Sequence, residues 1–182
     1  VNAGVLTVNV LDNGGVASNI GASTNAAANL VFGGGTLQYT GGSVTIDRNY
    51  TLATGTTNSI DVTQNTTNLN ISGASTASTG ALRKLGDGTL TLGGANLYTG
   101  LTSVLDGTLA AGINNALATG AVTVNGGIYN IDGFSDSVGT VTLTDGSILG
   151  TTGVLTGSSF AVQNGLITAI LGGAGNLAKT TA

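Results

Sequence analysis

The stretch GDGTLTLGGANLYTGLTSVLDGTLAAG, residues 86–112, contains the tetrapeptide DGTL twice, at Asp87–Leu90 and at Asp106–Leu109. The segment between the two copies is too long for a hairpin loop and has no helical periodicity. Asp-Gly suits a turn, because Gly accepts positive φ and the Asp side chain bonds nearby amides. The alternation of Thr and Leu after each turn predicts a half-buried strand. The stretch therefore predicts a strand–corner–strand unit that repeats from Asp87 to Asp106.

The same unit recurs along the whole chain. An Asn or Asp anchor is followed three positions later by an apolar side chain nine times, at Val16, Phe32, Leu52, Ile71, Leu90, Leu109, Ile128, Ile148 and Ile167. Stacked hairpins do not require one residue class at a fixed period, whereas a solenoid does, because equivalent side chains stack on one another. The pattern predicts one all-β segment over residues 1–182, a right-handed parallel β-helix (β-solenoid) of about nine coils of about 19–20 residues.

The composition excludes several function classes. The chain has no His and no Cys, which excludes metal sites and nucleophilic triads built on those residues. Its net charge is −4, and its four bases are scattered, so no basic stripe could neutralise nucleic-acid phosphates. No apolar run approaches the roughly 20 residues that span a bilayer. We therefore expect no nucleic-acid partner, no membrane-spanning segment, no cofactor, and no catalytic or metal-binding residue.

Two kinds of chemistry compete with this expectation. Asp132, Asp136 and Asp145 form the densest group of acids and could in principle supply a carboxylate pair for glycoside cleavage, but turn residues are the favoured interpretation. Their grouping in a groove with Arg48, Arg83 or Lys84 would indicate glycan chemistry. The segment GDGTLTLGG resembles the nonapeptide of calcium-binding β-rolls, but that motif must recur with a nine-residue period. Corner turns are the favoured interpretation here too.

The remaining singled-out side chains are interpreted as structural. Arg83 and Lys84 are expected on a solvated face, and Asp47–Arg48 as a surface pair of little energetic weight. Core or inter-coil packing is favoured over a sugar-stacking surface for the aromatic residues Tyr39, Tyr50, Tyr98, Tyr129, Phe32, Phe134 and Phe160. Glycosylation-like triplets at Asn49, Asn65 and Asn70 are interpreted as incidental.

The segment LRKLGDGTLTLGGANLYTGLTSVLDGTLAAG, Leu82–Gly112, resembles the autotransporter-associated β-strand repeat. The typical run of that family corresponds here to Lys84, then GDGTLTL, GANLYTG and the closing DGTL. The flanking sequence resembles the spacers between such units in long bacterial surface proteins. The resemblance implies a right-handed β-helix, secretion, and an extracellular or cell-surface location. It brings no catalytic residues with it.

These observations predict a non-enzymatic structural or adhesive β-solenoid outside the cell, a surface rod or a filament subunit that stacks end to end. The expected partners are head-to-tail copies of the chain or adjacent repeats of one parent chain, with surface glycans or host or neighbouring cells as targets. The alternative is a secreted β-helix that binds or cleaves glycans. Reading from residue 182 into residue 1 gives a string that matches Leu101–Ala111, with Leu6 over Leu109. Both end coils, which lack polar caps, are therefore expected to be covered by further β-helix.

Overall fold

The computed structural model describes residues 1–181, and their regular structure consists of nineteen β-strands and one 3-10 turn, Ala27–Asn29. All pairings between these strands are parallel. The chain coils through three faces in each turn, so that strands distant in sequence become neighbours. The predicted all-β, parallel β-solenoid is thereby confirmed. Its right hand stays a prediction.

Face one contains a strand from every coil, and we number the coils 1 to 9 by these strands. They are β1 (Val5–Val8), β3 (Thr36–Tyr39), β6 (Thr57–Val62), β8 (Ala81–Leu85), β10 (Thr102–Val104), the first part of β12 (Val122–Asp132), the first part of β14 (Thr140–Gly150), β16 (Ser159–Val162) and β19 (Leu177–Lys179).

Face two follows the first corner of each coil. Its strands are β4 (Val44–Ile46), β7 (Asn68–Ile71), β9 (Thr89–Leu92), β11 (Thr108–Ala111), the second parts of β12 and β14, and β17 (Leu166–Ile167). Face three is less regular and comprises β2 (Val31–Phe32), β5 (Thr51–Leu52), β13 (Asp136–Ser137), β15 (Val154–Thr156) and β18 (Ile170–Gly172), with isolated bridges at Tyr50–Ser75 and Ser78–Tyr98. No helix among residues 1–181 is long and apolar enough to cross a membrane.

The number of complete turns is about seven, not nine, because face two has seven strands. The first coils are longer than predicted and unequal in length, as the stacked face-one positions Leu6, Leu37, Ile60 and Lys84 show. From Lys84 to Val162 the coils have the predicted length, with stacked positions at Lys84, Val104, Val124, Leu143 and Val162. The count was too high partly because two anchors, Asn13 and Asn29, fall within one coil. Both lie in the long segment between β1 and β2, residues 9–30, which we call the excursion.

The predicted inward positions are mostly buried but do not form a single stack. Leu90 and Leu109 lie in a face-two column of Val44, Leu69, Leu90, Leu109, Tyr129, Ile148 and Ile167. Ile71 stacks on Leu92 in the adjacent column, and Phe32 pairs with Leu52 on face three. Two predictions were wrong. Val16 is 45% exposed in the excursion. The coil from Leu109 to Tyr129 is one residue longer than the spacing between the anchors Asp106 and Asn125, so Ile128 pairs with Thr108 and faces outward, and Tyr129 takes the inward place.

The corner between faces one and two requires glycine. Gly86 and Gly107 both have positive φ, +74° and +52°. A Cβ on Gly107 would collide with the carbonyl oxygen of Gly86, one coil away. Glycine therefore meets two demands at this corner, the left-handed backbone and the close approach of stacked coils.

The two ends of the solenoid differ from the sequence-based expectation. The excursion between β1 and β2 lies over the corner that follows β4, where its Asn25 carbonyl oxygen accepts the Asn49 amide at 3.1 Å, so the first coil is not bare there. The predicted equivalence of Leu6 with Leu109 is wrong, because Leu6 pairs with Leu37 on face one and Leu109 lies on face two. Ala182, part of the string that predicted this equivalence, lies outside the described residues.

We predict that Leu109→Asp unfolds the protein, because an unpaired carboxylate would enter a column with no solvent access. Leu109→Ala should lower the free energy of unfolding by about 2–5 kcal/mol, measured by chemical denaturation followed by circular dichroism. The matched control is Leu97, which is 55% exposed. Leu97→Asp should shift the midpoint little, and equal losses at the two sites would contradict the assignment of the core.

Candidate functional site

The polar interior is the most distinctive chemical feature of the solenoid. Arg48 is only 1% exposed, and its guanidinium donates hydrogen bonds to the excursion. Nε donates to the Asp12 carbonyl oxygen at 2.8 Å, and Nη2 donates to the Gly21 carbonyl oxygen at 2.9 Å. Further bonds reach the carbonyl oxygens of Asn13, Val16 and Ser23 and the Ser23 hydroxyl. The guanidinium thus holds the excursion in one conformation.

The predicted surface pair Asp47–Arg48 is therefore wrong. The Asp47 carboxylate accepts the Gly14 amide at 2.7 Å, and the Asp47 amide donates to Asn13 Oδ1 at 2.9 Å. Both residues join the excursion to coil 2. Asp47 bonds the Gly14 amide and the Asn13 side chain, and Arg48 bonds main-chain carbonyl oxygens. Together they explain why a segment without strands keeps a fixed path.

Lys84 is the second buried cation, with 0% exposure, so the prediction of a solvated face was wrong for it. Its Nζ donates to the carbonyl oxygens of Leu85 (2.8 Å) and Gly86 (2.6 Å) at its own corner, and to that of Asp106 (3.3 Å) in the next coil. Burial lowers the pKa of Lys84 to about 8, although the carboxylates of Asp61, Asp106 and Asp87 oppose this shift. Arg83, the next residue along, is exposed as predicted.

Buried side chains form hydrogen bonds within and around the turn GANLYTG, residues 94–100. Asn96 Oδ1 accepts hydrogen bonds from the Tyr50 hydroxyl (2.8 Å) and the Ser75 amide (2.9 Å). Its Nδ2 donates to the carbonyl oxygens of Gly94 (3.0 Å) and Ala116 (2.9 Å). All four hydrogen-bonding positions of this amide are thereby used, which is what a buried Asn requires. Asn96 joins its own coil to three others.

Asp136 is a buried carboxylate. It accepts hydrogen bonds from the Tyr129 hydroxyl (2.6 Å) and from the amides of Leu117 (3.2 Å) and Ser137 (3.1 Å). Burial raises the pKa of Asp136 above its ordinary value, and these three donors act against the shift. Burial also raises the pKa of Tyr129, which its bond to this carboxylate reinforces. Asp136 therefore connects coils 5 and 6 inside the protein.

The three acids singled out in the sequence do not converge. Asp132 lies at the end of face two and accepts the Thr151 hydroxyl at 3.2 Å, whereas Asp145 lies at the corner of coil 7 and accepts Asn164 Nδ2 at 3.0 Å. Asp136 lies inside, on face three. The structure does not bring them into a groove with Arg48 or Lys84, which bond carbonyl oxygens elsewhere. Among residues 1–181, no three acidic side chains are placed to hold a metal ion.

The aromatic side chains pack inside, as predicted. Six of the seven are buried, and Phe134 is partly exposed. Phe32 and Tyr50 meet edge to face, with ring centroids 6.1 Å apart. Of the asparagines in the three glycosylation-like triplets, Asn65 is exposed, and Asn49 and Asn70 are partly buried.

The outer surface differs from this hydrogen-bonded interior. The outward positions of face one carry mostly hydroxyl side chains, of which Ser59 and Ser103 are buried; these positions are Thr36, Ser59, Arg83, Ser103, Thr123 and Thr142. Two shallow depressions occur among the described residues 1–181. An apolar one on face three includes Ala95, Leu97 and Ala118, and a polar one on face two is formed by residues 43–45, Asn68 and Asn70. Neither is lined by a charged side chain.

Comparison with known proteins agrees with the architecture. Residues 82–111 match the family model of the passenger-associated-transport-repeat. Over 97% of its length the chain is 44% identical to the Adhesin BmaC autotransporter of Brucella suis biovar 1 (strain 1330). The chain is thus similar to the autotransporter-associated repeat proteins, as its sequence predicts. It spans 5% of the length of this relative. No solved structure matches it.

The transport repeat, residues 82–111, contains two of the interior residues that sequence reasoning missed. Lys84 and Asn96, which are both inside the repeat, were not identified as buried ties, and Arg48 was missed outside it. A signal was present for both cations. Side chains two positions apart in a strand point to the same face. Lys84 therefore points inward with Leu82, and Arg48 points inward with Ile46 and Tyr50. The charge of these two side chains predicted a surface position, whereas the strand alternation predicted the buried position that the structure shows.

We predict that Lys84 makes stability increase with pH. Between about 8 and its ordinary value of 10.5, the unfolded chain binds more protons at this lysine than the folded chain does. The free energy of unfolding of the wild type, relative to Lys84→Met, should therefore rise by about 2 kcal/mol from pH 7.5 to 9.5. Denaturant titrations at both pH values test this. Arg83→Met is the control, and parallel wild-type and Lys84→Met profiles would contradict the prediction.

We predict that Arg48→Lys loosens the excursion while leaving the transport repeat intact. A lysine cannot reproduce the guanidinium fork that reaches five separate carbonyl oxygens. Amide hydrogen exchange within residues 12–24 should accelerate at least about tenfold, with no change in residues 82–111. Arg83→Lys should change neither region. Unaltered exchange of the excursion in Arg48→Lys would show that other contacts hold it.

Proposed function

We propose that this chain is a non-enzymatic, adhesive passenger segment that acts outside the cell, at a bacterial surface. The observation that carries the proposal is the match of nearly the whole chain to a protein named as an autotransporter adhesin. The transport repeat within the segment supports the same assignment. The proposed targets are surface glycans or the surfaces of host or neighbouring cells.

The arrangement of charges supports a structural role over catalysis. Two of the four cations and one acid are buried and used in hydrogen bonds that join coils. A glycosidase would instead need two carboxyl groups on either side of one substrate position. Asp132, Asp136 and Asp145 lie at three different places on the solenoid. The glycan-cleaving alternative therefore gains no support from the acids that suggested it.

We further propose that the segment works as part of a longer rod, extended by adjacent repeats of a parent chain or by copies stacked end to end. In residues 1–181, β1 pairs with β3 alone and β19 with β16 alone. The inward residues of these strands, Leu6 and Leu177, are 41% and 62% exposed. Exposed inward side chains on unpaired strand edges favour addition of another coil.

The test is adhesion by the folded segment. Beads coated with the wild-type chain should bind cells or a glycan array saturably, and beads coated with Leu109→Asp should not, because the surface is built by stacking. Leu97→Asp serves as the folded control. Incubation with polysaccharides should release no reducing sugar, and calcium should leave the melting temperature unchanged. Binding that is equal for folded and unfolded beads, or release of sugar, would refute the proposal.

A further inference from the structure

Three asparagines of this chain precede a glycine, and the structure restrains them to different degrees. They are Asn13, Asn125 and Asn164. An asparagine in this position can react with its own main chain, because glycine leaves the backbone free to bring the next amide nitrogen up to the side-chain carbonyl carbon. Asparagine is one of the thermolabile residues of proteins. The contacts around each side chain therefore decide which of the three reacts in the folded state.

Two of these asparagines are restrained by hydrogen bonds. Asn13 Oδ1 accepts the Asp47 amide at 2.9 Å, and the Gly14 amide, which would be the nucleophile, donates to the Asp47 carboxylate at 2.7 Å. Asn164 Nδ2 donates to Asp145 Oδ1 at 3.0 Å, which holds the amide group that would leave. Reaction at either residue requires a local opening that breaks these bonds.

Asn125 has no comparable restraint on its side chain. It is exposed at the corner of coil 6, and its side chain has no hydrogen-bond partner among residues 1–181. Gly126 follows with a φ of +105°, and the pairing of β12 with β14 is irregular on both sides of Asn125. The corner therefore has the freedom that the reaction needs. It lies between complete coils, in the middle of the segment.

We propose that Asn125–Gly126 is a self-modification site, at which the chain deamidates with water as the only other reactant. The Gly126 amide nitrogen loses its proton to water and attacks Asn125 Cγ, which closes a succinimide ring. The bond from Cγ to Nδ2 breaks, and Nδ2 takes up a proton from water and leaves as ammonia. Water then opens the ring at either carbonyl carbon. The products are aspartate and isoaspartate, in which the main chain runs through Cγ.

Both products weaken the junction between coils 6 and 7. Asn125 pairs with Asp145 across this junction, so a new carboxylate would lie opposite an existing one. Like charges directly opposite each other on adjacent strands are destabilising. Isoaspartate also lengthens the main chain at a crowded corner, where a Cβ on Gly126 would lie 2.7 Å from the Leu105 carbonyl oxygen. The neutral amide of Asn125 thus keeps the two coils in register until it is lost.

Ageing of the folded chain tests the site. The wild type is incubated at mildly alkaline pH, digested and mapped by mass spectrometry. Asn125 should convert at least about tenfold faster than Asn13 or Asn164, because only those two must break side-chain hydrogen bonds first. In concentrated urea, where these bonds are lost, the three sites should convert at similar rates. A folded chain in which Asn125 converts no faster than the other two would overturn the proposal.

A variant of the restraining carboxylate provides the matched control. Asp47→Ala removes the acceptor of the Gly14 amide, so it should accelerate conversion of Asn13 and leave that of Asn125 unchanged. Unchanged conversion of Asn13 would show that hydrogen bonds do not set the order of reaction, and would overturn the proposal.

Two substitutions of Asn125 test the consequence. Asn125→Asp should lower the melting temperature relative to Asn125→Ser, and the difference should shrink in high salt, which screens the repulsion from Asp145. Equal melting temperatures at low salt would refute the weakening of the coil 6–7 junction. Adhesion is not needed for either measurement, so the result is independent of the function proposed above.

Discussion

In a β-solenoid, each inward side chain has its nearest neighbours one coil above and one coil below, about 4.8 Å away. Water has no place in these columns, so a polar group that enters one must find its partners in its own corner or in an adjacent coil. Lys84 satisfies this constraint with carbonyl oxygens from two coils, and Arg48 satisfies it with carbonyl oxygens of the excursion. Both cations stabilise main chain that departs from the strand ladder by donating to its carbonyl oxygens.

The same constraint explains the direction of each pKa shift. A buried cation without a carboxylate in direct contact loses hydration that carbonyl dipoles replace only in part, so the pKa of Lys84 falls. The pKa of Asp136 rises for the equivalent reason, despite three donors. Polar residues inside this solenoid therefore reduce the stability available from an all-apolar core. These residues also specify the register between adjacent coils, because Lys84 finds its acceptors, and Asp136 its donors, in one register only.

The sequence predicted the fold class because its periodicity is local, and each Asp-Gly corner sets the following strand without help from distant residues. Coil length from Lys84 to Val162 was predictable for that reason. The first coils were not, because the excursion repeats the same residue types without forming corners, and its path depends on Arg48 and Asp47 from coil 2. The inward place of Tyr129 was also missed, because the coil from Leu109 to Tyr129 is one residue longer than the anchor spacing, and one additional residue reverses which side chains point inward. The burial of Arg48 and Lys84 could have been predicted from the strand alternation, but their charge led to the prediction of a surface position.

Solenoid coils ordinarily interact with their immediate neighbours alone, which lets stability approximate a sum of local terms. Tyr50 departs from this pattern, because its hydroxyl passes beyond coil 3 to reach Asn96 in coil 4. Asn96 in turn bonds Ser75 of coil 3 and Ala116 of coil 5. One amide thus links four successive coils, so fraying of coil 2 would leave Asn96 with an unused acceptor position deep in the transport repeat. Such a tie makes neighbouring coils open together rather than singly. Because Tyr50, Ser75 and Ala116 all lie outside residues 82–111, this coupling joins the transport repeat to the coils on both sides of it.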